Sequence, residues 1–399
     1  MYYTNLLHNV FLLQTILVLV ATTPPPSPAI PTFTHPGVFM NASDLSILVS
    51  RVAAKVDPQT SALAIANSSF VGSLRYKPYG PPVQGIIACG PYDNPNIGCV
   101  NETFDADSAL LHSMLYIITD NVAHAALSRK IINLYTSGLI GYADGNAPLQ
   151  AGWCGSKWVR AAEFLRYTPN SGWTSADTDA FKSMIMNIHL PLIYNGSSYN
   201  GNWEMTMIEA MIGFSVFVED AALFTHAVDF WRQRTPAYFY NFAADGNSHA
   251  PFPPKRGATS WYNQTVFNAS TNGVCQETCR DLVHMQMGLG SCLNAAATAR
   301  INGVDLFAEE APRLTGAMEF ASEWLLKGGS PQSDLLCSGK NITIGIPVAT
   351  MEVGFRELGV RLNNNLSLVV QHLKAVRPIA PPDSLCSEWE TLTHGEYLP

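Results

Sequence analysis

The chain has 399 residues, 47% hydrophobic and only 14% charged, so it can bury a sizeable core in one large domain or two. Its formal net charge of −8 argues against nucleic acid or an anionic membrane as a partner. The same charge counts against a polyanionic substrate unless the 23 Lys and Arg residues include a few gathered in one cleft.

In chain order, Val10 to Ala21 is an apolar run of signal-peptide length, too short to span a bilayer, and a Pro/Ser/Thr stretch follows it to Pro31. Residues 1–22 therefore read as a signal peptide cut near Ala21 or Ala29, and 23–34 as a Pro-rich linker. No later apolar segment is long and clean enough for a membrane helix, so the mature chain is expected to be secreted, with no membrane partner. Eight Asn-X-Ser/Thr sequons, at Asn41, Asn67, Asn101, Asn195, Asn263, Asn268, Asn341 and Asn365, agree with export as acceptors for glycosylation. Eight cysteines suit disulfides in that compartment. Cys89 and Cys99 bracket a Pro/Gly/Asn loop and form the expected local pair. Cys275 and Cys279, one helical turn apart, are each expected to pair elsewhere.

Helical spacing dominates the rest of the chain. Apolar residues recur at three-and-four intervals through Ala106–Gly138, Trp158–Arg166, Asp177–His189, Trp203–Glu219, Ala221–Gln233, Gln276–Ile301 and Pro312–Leu326. Strand-like alternation is scarce, and the intervening loops are rich in Gly, Pro and Asn. An all-α chain of antiparallel helix pairs around one core suggests an α/α toroid, an incomplete α/α barrel, over residues 35–377. A short tail, 378–399, closes it.

Three constellations carry candidate chemistry. Gly201-Asn202-Trp203-Glu204 opens a helix; Asn202 reads either as an N-cap or as a carboxamide aimed into a cleft beside the sugar-stacking Trp203. Gln276, Arg280 and His284 recur every four residues and are expected on one face of a single helix. That face is either simply solvated or, because its neighbours are apolar, a buried polar set needing partners such as Glu277 or Asp281. The loop from His249 to Tyr262 holds Lys255 and Arg256, either a clamp for a carboxylate or an exposed turn. Weaker signals are Trp153 and Lys157 in AGWCGSKWVRAAE, where Glu163 and Arg166 read as structural ion pairs. His112, His124, His189 and His226 lack metal-ligand spacing, and neither a phosphate loop nor a nucleophile elbow is present. No metal and no cofactor are expected.

Taken in order, HPGVF (His35 to Phe39), AGWCGSKWVRAAEFLR, GNWEMTMIEAMIGFSVFVED, WRQRTPAYFY, QETCRDLVHMQMGLG and GVDLF resemble the alginate-lyase superfamily of α/α-toroid polysaccharide lyases. The branch they most resemble is polysaccharide lyase family 38, which contains glucuronan lyases. The resemblance spans about His35 to Leu362 and implies metal-independent β-elimination on β-1,4-linked uronic-acid polymers, with an acidic polysaccharide as partner. It implies Asn202 as neutraliser of the uronate carboxylate, His284 as neutraliser or base, and Arg280 as orienter or direct carboxylate contact. Trp153, Lys157, Trp203, Arg256, Gln276 and Glu352 would line the substrate.

One departure stands out. Relatives commonly show a Glu-x-x-Tyr-Asn-His-Tyr-like segment, whereas this chain has Phe355 and Leu358 after Glu352, so the acid/base role passes to Tyr262 or His284. Two other readings remain open: a glycoside hydrolase using Glu204 and Glu209, and a non-catalytic glycan-binding or cell-wall protein of the same fold. Heavy glycosylation makes a monomer the expected state.

Overall fold

Asn41 starts the first helix by a reciprocal cap: its side chain accepts from the Asp44 N–H while the Asp44 carboxylate accepts from the Asn41 N–H, both at 3.0 Å. The computed structural model describes residues 32–197, 201–249, 261–329, 334–345, 350–379 and 389–399. The expected signal peptide and linker lie almost wholly outside these residues, as does Arg256. From Thr32 onward the chain forms one unit.

Helices α1 (Ala42–Ala53) and α2 (Gln59–Ser68) precede a small sheet. In it β1 (Ile86–Cys89) pairs antiparallel with β2 (Asn96–Ile97) and parallel with β3 (Gly141–Ala143). This sheet is not legible in the sequence because strands of two to four residues are too short to show alternation. The main body comes next: α3 (Cys99–Thr119), α4 (Val122–Gly138), α5 (Ala147–Tyr167) and α6 (Ser175–Met184), which runs through a π-helical turn into α7 (Leu190–Ile193). Then come α8 (Gly201–Val218), α9 (Ala221–Tyr238), α10 (Phe242–Asp245), α11 (Leu282–Ile301), α12 (Leu306–Glu309) and α13 (Ala311–Lys327). The chain closes with α14 (Met351–Gly354), α15 (Ser367–Val376) and α16 (Glu390–His394).

Helices α3, α5, α8 and α11 stand side by side and run parallel, because contacts between them advance in step along each sequence. Gln150 of α5 donates to the Cys99 carbonyl at the start of α3 at 3.0 Å, and two turns on Lys157 pairs with Asp107 at 2.5 Å. Gly152 and Gly155 let α5 approach α8: a Cβ at Gly152 would meet Thr206 Cγ2 at 2.7 Å, and one at Gly155 would meet the Phe214 ring at 2.8 Å. Thr206 in turn shares a 2.8 Å hydrogen bond with Ser291 of α11. These inner helices are buried nearly all round; α8 is buried without interruption from Glu204 to Phe217, as its near-continuous apolar sequence requires.

The helices between them are one-sided. Helix α4 buries His124, Ala125, Ser128, Ile131, Ile132 and Tyr135, a three-and-four stripe, and returns antiparallel after a two-residue turn. Helix α9 does the same after Glu219–Asp220, with the Asp220 side chain capping it. An inner layer of parallel helices backed by an outer layer is the two-layered arrangement expected of a toroid.

Two expectations are corrected. The helix expected from Gln276 begins only at Leu282, so Gln276, Arg280 and His284 do not share one helical face. Cys279 does pair elsewhere, with Cys337, but Cys275 remains a buried thiol whose sulfur accepts the Glu277 N–H at 3.3 Å. The local pair Cys89–Cys99 is present. At the C-terminus, Trp389 and Leu392 are buried, and Arg51 donates to the Gly395 carbonyl at 2.7 Å, so the described end of the chain is stitched to α1.

Candidate active site

The late start of α11 creates the site. Chain leaving α9 pairs with residues 274–276: Tyr240 N donates to Val274 O and Gln276 N to Tyr238 O, each at 2.9 Å, and Phe239 bridges Cys275. With its N–H spent on Tyr238, Gln276 cannot be in a helix interior. Residues 276–280 therefore turn back on themselves. Asp281 opens the helix, its side chain accepting the His284 N–H at 2.8 Å.

At the centre of this turn lies the fully buried Glu277. Its carboxylate accepts from Asn202 Nδ2 at 2.7 Å on both oxygens, from Asn202 N at 3.1 Å, from the Tyr238 hydroxyl at 2.7 Å and from Arg280 Nη1 at 3.0 Å. A buried carboxylate is tolerated on such terms because charged hydrogen bonds replace its lost water. Burial, then the neighbouring Cys275 and Glu277, holds the Tyr238 hydroxyl far above its ordinary pKa, so it stays protonated as a donor.

Around this hub the more accessible groups gather. Asp281 holds His284 Nδ1 at 2.7 Å, which makes Nδ1 the protonated nitrogen by geometry and leaves Nε2 as the open one. Burial pushes the Asp281 pKa up, but the side-chain and backbone hydrogen bonds of His284 outweigh it and hold the carboxyl below its usual range. The Arg280 guanidinium also lies 5.9 Å from the ring centre of the half-buried Tyr262. Arg280 and His284 keep 29% and 31% of their side chains exposed, which distinguishes them from the sealed groups beneath.

Beneath the hub, Gln276 Oε1 accepts from Gly201 N at 3.1 Å and from Arg234 Nη2 at 2.8 Å, tying the start of α8 to α9. Arg234 pairs with Glu204 at 2.5 Å, and burial pulls its pKa down to about 10. Asn202 and His284 both sit in the first turns of parallel inner helices, so two positive dipole ends and Arg280 face the same end of the molecule. Glu277 and Asp281 pair with Arg280 there, so in a chain of net charge −8 the donors at this end act locally, through the exposed part of the guanidinium and the helix N-termini.

The structure therefore brings together Asn202, Gln276, Arg280, His284 and Tyr262. Asn202 is not an N-cap: it lies inside α8 and donates from both nitrogens to Glu277, leaving its buried Oδ1 without a partner among the described residues. Trp203, on the same turn, is half-buried, as is Trp153 on α5. Lys157 is buried and paired with Asp107 between α3 and α5. Glu352 is fully buried near the C-terminus, bound by Arg377 Nε and Thr391 Oγ1, each at 2.8 Å. Phe355 and Leu358 are core residues of the π-helical turn after α14. Of the sequon asparagines, Asn67, Asn101, Asn195, Asn263, Asn341 and Asn365 are exposed, while Asn41 and Asn268 are half-buried with side chains spent on caps.

Three residues here are not singled out as chemical groups by the sequence: Tyr238, and Glu277 and Asp281, which it offers only as structural partners for Arg280 and His284. The last carries a readable signal, an Asp three positions before a His at a helix start. Tyr238 carries none, since a Tyr at the end of an amphipathic helix looks like core.

No protein-family model matches the chain, and no curated protein matches it by sequence. Solved structures do match. Alginate lyase A1-III from Sphingomonas species A1 aligns with a TM-score of 0.64 at 13% identity, covering 94% of this chain and 100% of that one. A variant of A1-III complexed with tetrasaccharide gives the same TM-score at 16% identity over 94% of this chain and 99% of that one. An alginate lyase from Bacteroides ovatus aligns with a TM-score of 0.55 at 11% identity over 91% and 100% of the two chains. At such identities the likeness is one of fold: the chain is a mostly helical α/α toroid like that of the alginate lyases.

Proposed function

From that shared fold, we propose that this protein is a polysaccharide lyase that cleaves uronic-acid polymers by β-elimination. The observation that carries the reading is the convergence of Arg280, His284 and Asn202 around one buried carboxylate, Glu277, at the dipole-positive end of α8 and α11. Abstraction of the C5 proton of a uronate builds enolate charge on its carboxylate, and preorganised donors must meet that charge. Arg280 supplies them. Its charge is secured by Glu277, so it faces the substrate without having to reorganise.

His284 acts as the base. With Nδ1–H bonded to Asp281, its Nε2 lone pair is free to take the C5 proton. Tyr262, beside Arg280, protonates the departing glycosidic oxygen as the C4–O bond breaks and the C4=C5 double bond forms. Tyr238 is unsuited to that role because its hydroxyl is committed to Glu277 in a sealed site. Asn202 positions Glu277 and offers Oδ1 to a sugar hydroxyl. Trp203 and Trp153 provide stacking surfaces, and Arg256 adds a cation at the substrate. The proposal needs no metal, because Arg280 carries the electrostatic load. Among polyuronates, glucuronan and alginate-like chains are the preferred substrates, and an exported, glycosylated, monomeric enzyme suits a polymer that stays outside cells.

The hydrolase reading loses support. Glu204 and Glu209 are each buried in an ion pair, with Arg234 and Arg160, and neither is poised to attack or protonate a glycoside.

Incubation with glucuronan, polymannuronate and polyguluronate, read by ultraviolet absorbance of unsaturated ends, tests the proposal. We expect absorbance with at least one of them, and loss of it in His284→Ala and Arg280→Ala. New reducing ends without that absorbance would indicate hydrolysis instead, and binding without cleavage a glycan-binding protein. Full activity in both variants would overturn the residue assignment.

A further inference from the structure

Tyr262 and the turn of residues 277–281 that precedes α11 are separate irregular segments, neither in a regular element of its own. Both are held by a third segment, residues 335–345, which supplies no side chain to the proposed chemistry. Cys337 of this segment is disulfide-bonded to Cys279, the residue before Arg280. Two residues after Arg280, Leu282 N donates to the Thr343 carbonyl at 2.7 Å. The segment therefore brackets Arg280 on both sides.

It grips the Tyr262 loop equally. Gln264 Oε1 accepts from Cys337 N at 2.9 Å, and its Nε2 donates to Leu335 O at 2.9 Å and to Val266 O at 2.6 Å. Ser338 Oγ donates to the Asn263 carbonyl at 2.8 Å. Gln264 Oε1 also lies 3.6 Å from Cys279 Sγ, so one buried amide touches the disulfide and both segments it joins. The segment itself is anchored by its buried Leu336, Cys337 and Ile342, and by Ile342 N donating to Gly329 O at 2.7 Å beyond α13.

We propose that Gln264 and the Cys279–Cys337 disulfide are positioning residues that set Tyr262 against Arg280 and so fix the acid relative to the carboxylate donor. This rests on the lyase reading for its activity arm, but not for its structural arm. A buried carboxamide making three hydrogen bonds across two loops is costly to place unless each bond is made. A small displacement of reacting groups costs far more in rate than in binding.

The test compares three variants of the full chain: Gln264→Ala, Gln264→Glu, and Cys279→Ser with Cys337→Ser. Cys89→Ser with Cys99→Ser serves as control. We expect kcat to fall about tenfold or more in the first three, with KM within about threefold and unchanged far-ultraviolet circular dichroism. Gln264→Glu keeps an acceptor for Cys337 N–H but sets a second one against two carbonyls, so it should resemble the Ala variant. The control should keep its kcat. Equal losses in kcat and melting temperature across all four would mean a merely structural role and overturn the proposal. So would an unchanged kcat in Gln264→Ala and Gln264→Glu, which decide the matter if the cysteine variant does not fold.

Amide exchange separates the two claims. In Gln264→Ala the amides of Arg280, Leu282 and Cys337 should exchange at least about tenfold faster while those of α8 stay protected. If the wild-type chain cleaves no polyuronate, the lyase reading fails while exchange still judges the positioning role. If exchange is unchanged, the positioning role fails whatever the activity.

Discussion

At the scale of single residues, the site is organised by groups that do not face the substrate. Asp281 serves His284 twice, accepting its backbone N–H as a helix cap and holding its ring as a base-orienting carboxylate, and it also lies 3.9 Å from Arg280 Nε. Replacing it with Asn keeps an acceptor for the cap but presents an amide to Nδ1. An amide that donates to Nδ1 moves the imidazole proton to Nε2 and removes the lone pair that abstracts C5–H. Asp281→Asn is therefore expected to lower kcat on the order of 10², with melting temperature nearly unchanged. Retention of full kcat would show that His284 is not the base.

The two ends of this logic differ in how readable they are. Arg280 and His284 stand out in a chain with few cations and a polar-within-apolar pattern. Glu277 does not, because its partners Asn202 and Tyr238 lie 75 and 39 positions away. A Glu beside an Arg looks like a surface pair until three donors are found converging on it.

At the scale of elements, the motifs divide into those that hold and those that act. HPGVF holds: His35 Nδ1 lies 2.7 Å from Glu163 Oε1, Gly37 N donates to the same oxygen at 3.0 Å, and Phe39 N donates to Thr298 Oγ1 at 3.0 Å, binding the N-terminal arm to α5 and α11. Helices α3 and α4 are held in part by a pair of neutral histidines, with His112 Nδ1 2.6 Å from His124 Nδ1 and the rings stacked. Burial, then the charge of His124, pushes His112 down to about 4, and burial lowers His124 as well. The folded pKa of His112 lies below its unfolded value, so the stability of the neutral pair is fully present above pH 6.5 and drains away as pH falls toward 4.

The expected outcome is a melting temperature that falls through that window. His112→Asn should give a shallower slope in scanning calorimetry. The slope should not vanish, because burial also lowers His189 and His372 to about 4. An identical slope in wild type and variant would remove this pair as an acid-sensitive element.

At the scale of the whole molecule, charge is arranged against its own sum. The protein carries −8, yet α8 and α11 direct their positive ends to the place where Arg280 stands. Attraction of a polyuronate should therefore be local and screened by salt. We expect KM for a polyuronate to rise several-fold between low ionic strength and about 0.5 M salt, with kcat much less affected, since a Debye length falls from ~10 Å at 0.1 M to ~3 Å at 1 M. A KM insensitive to salt would place recognition in stacking on Trp203 and Trp153 rather than in charge.

The sequence by itself determined the features that depend on near neighbours: the apolar three-and-four stripes of α4 and α9, the helical spacing of α8 and the local Cys89–Cys99 closure all come from spacing along the chain. Only the tertiary structure decided where α11 begins, which cysteine Cys279 joins, and that Lys157 and Glu352 are buried in ion pairs. The reason is physical. Helical periodicity is local, whereas the backbone N–H of Gln276 is claimed by Tyr238, 38 positions earlier, and that long-range hydrogen bond overrides the helical preference of its own segment. The candidate active site is what that override leaves exposed.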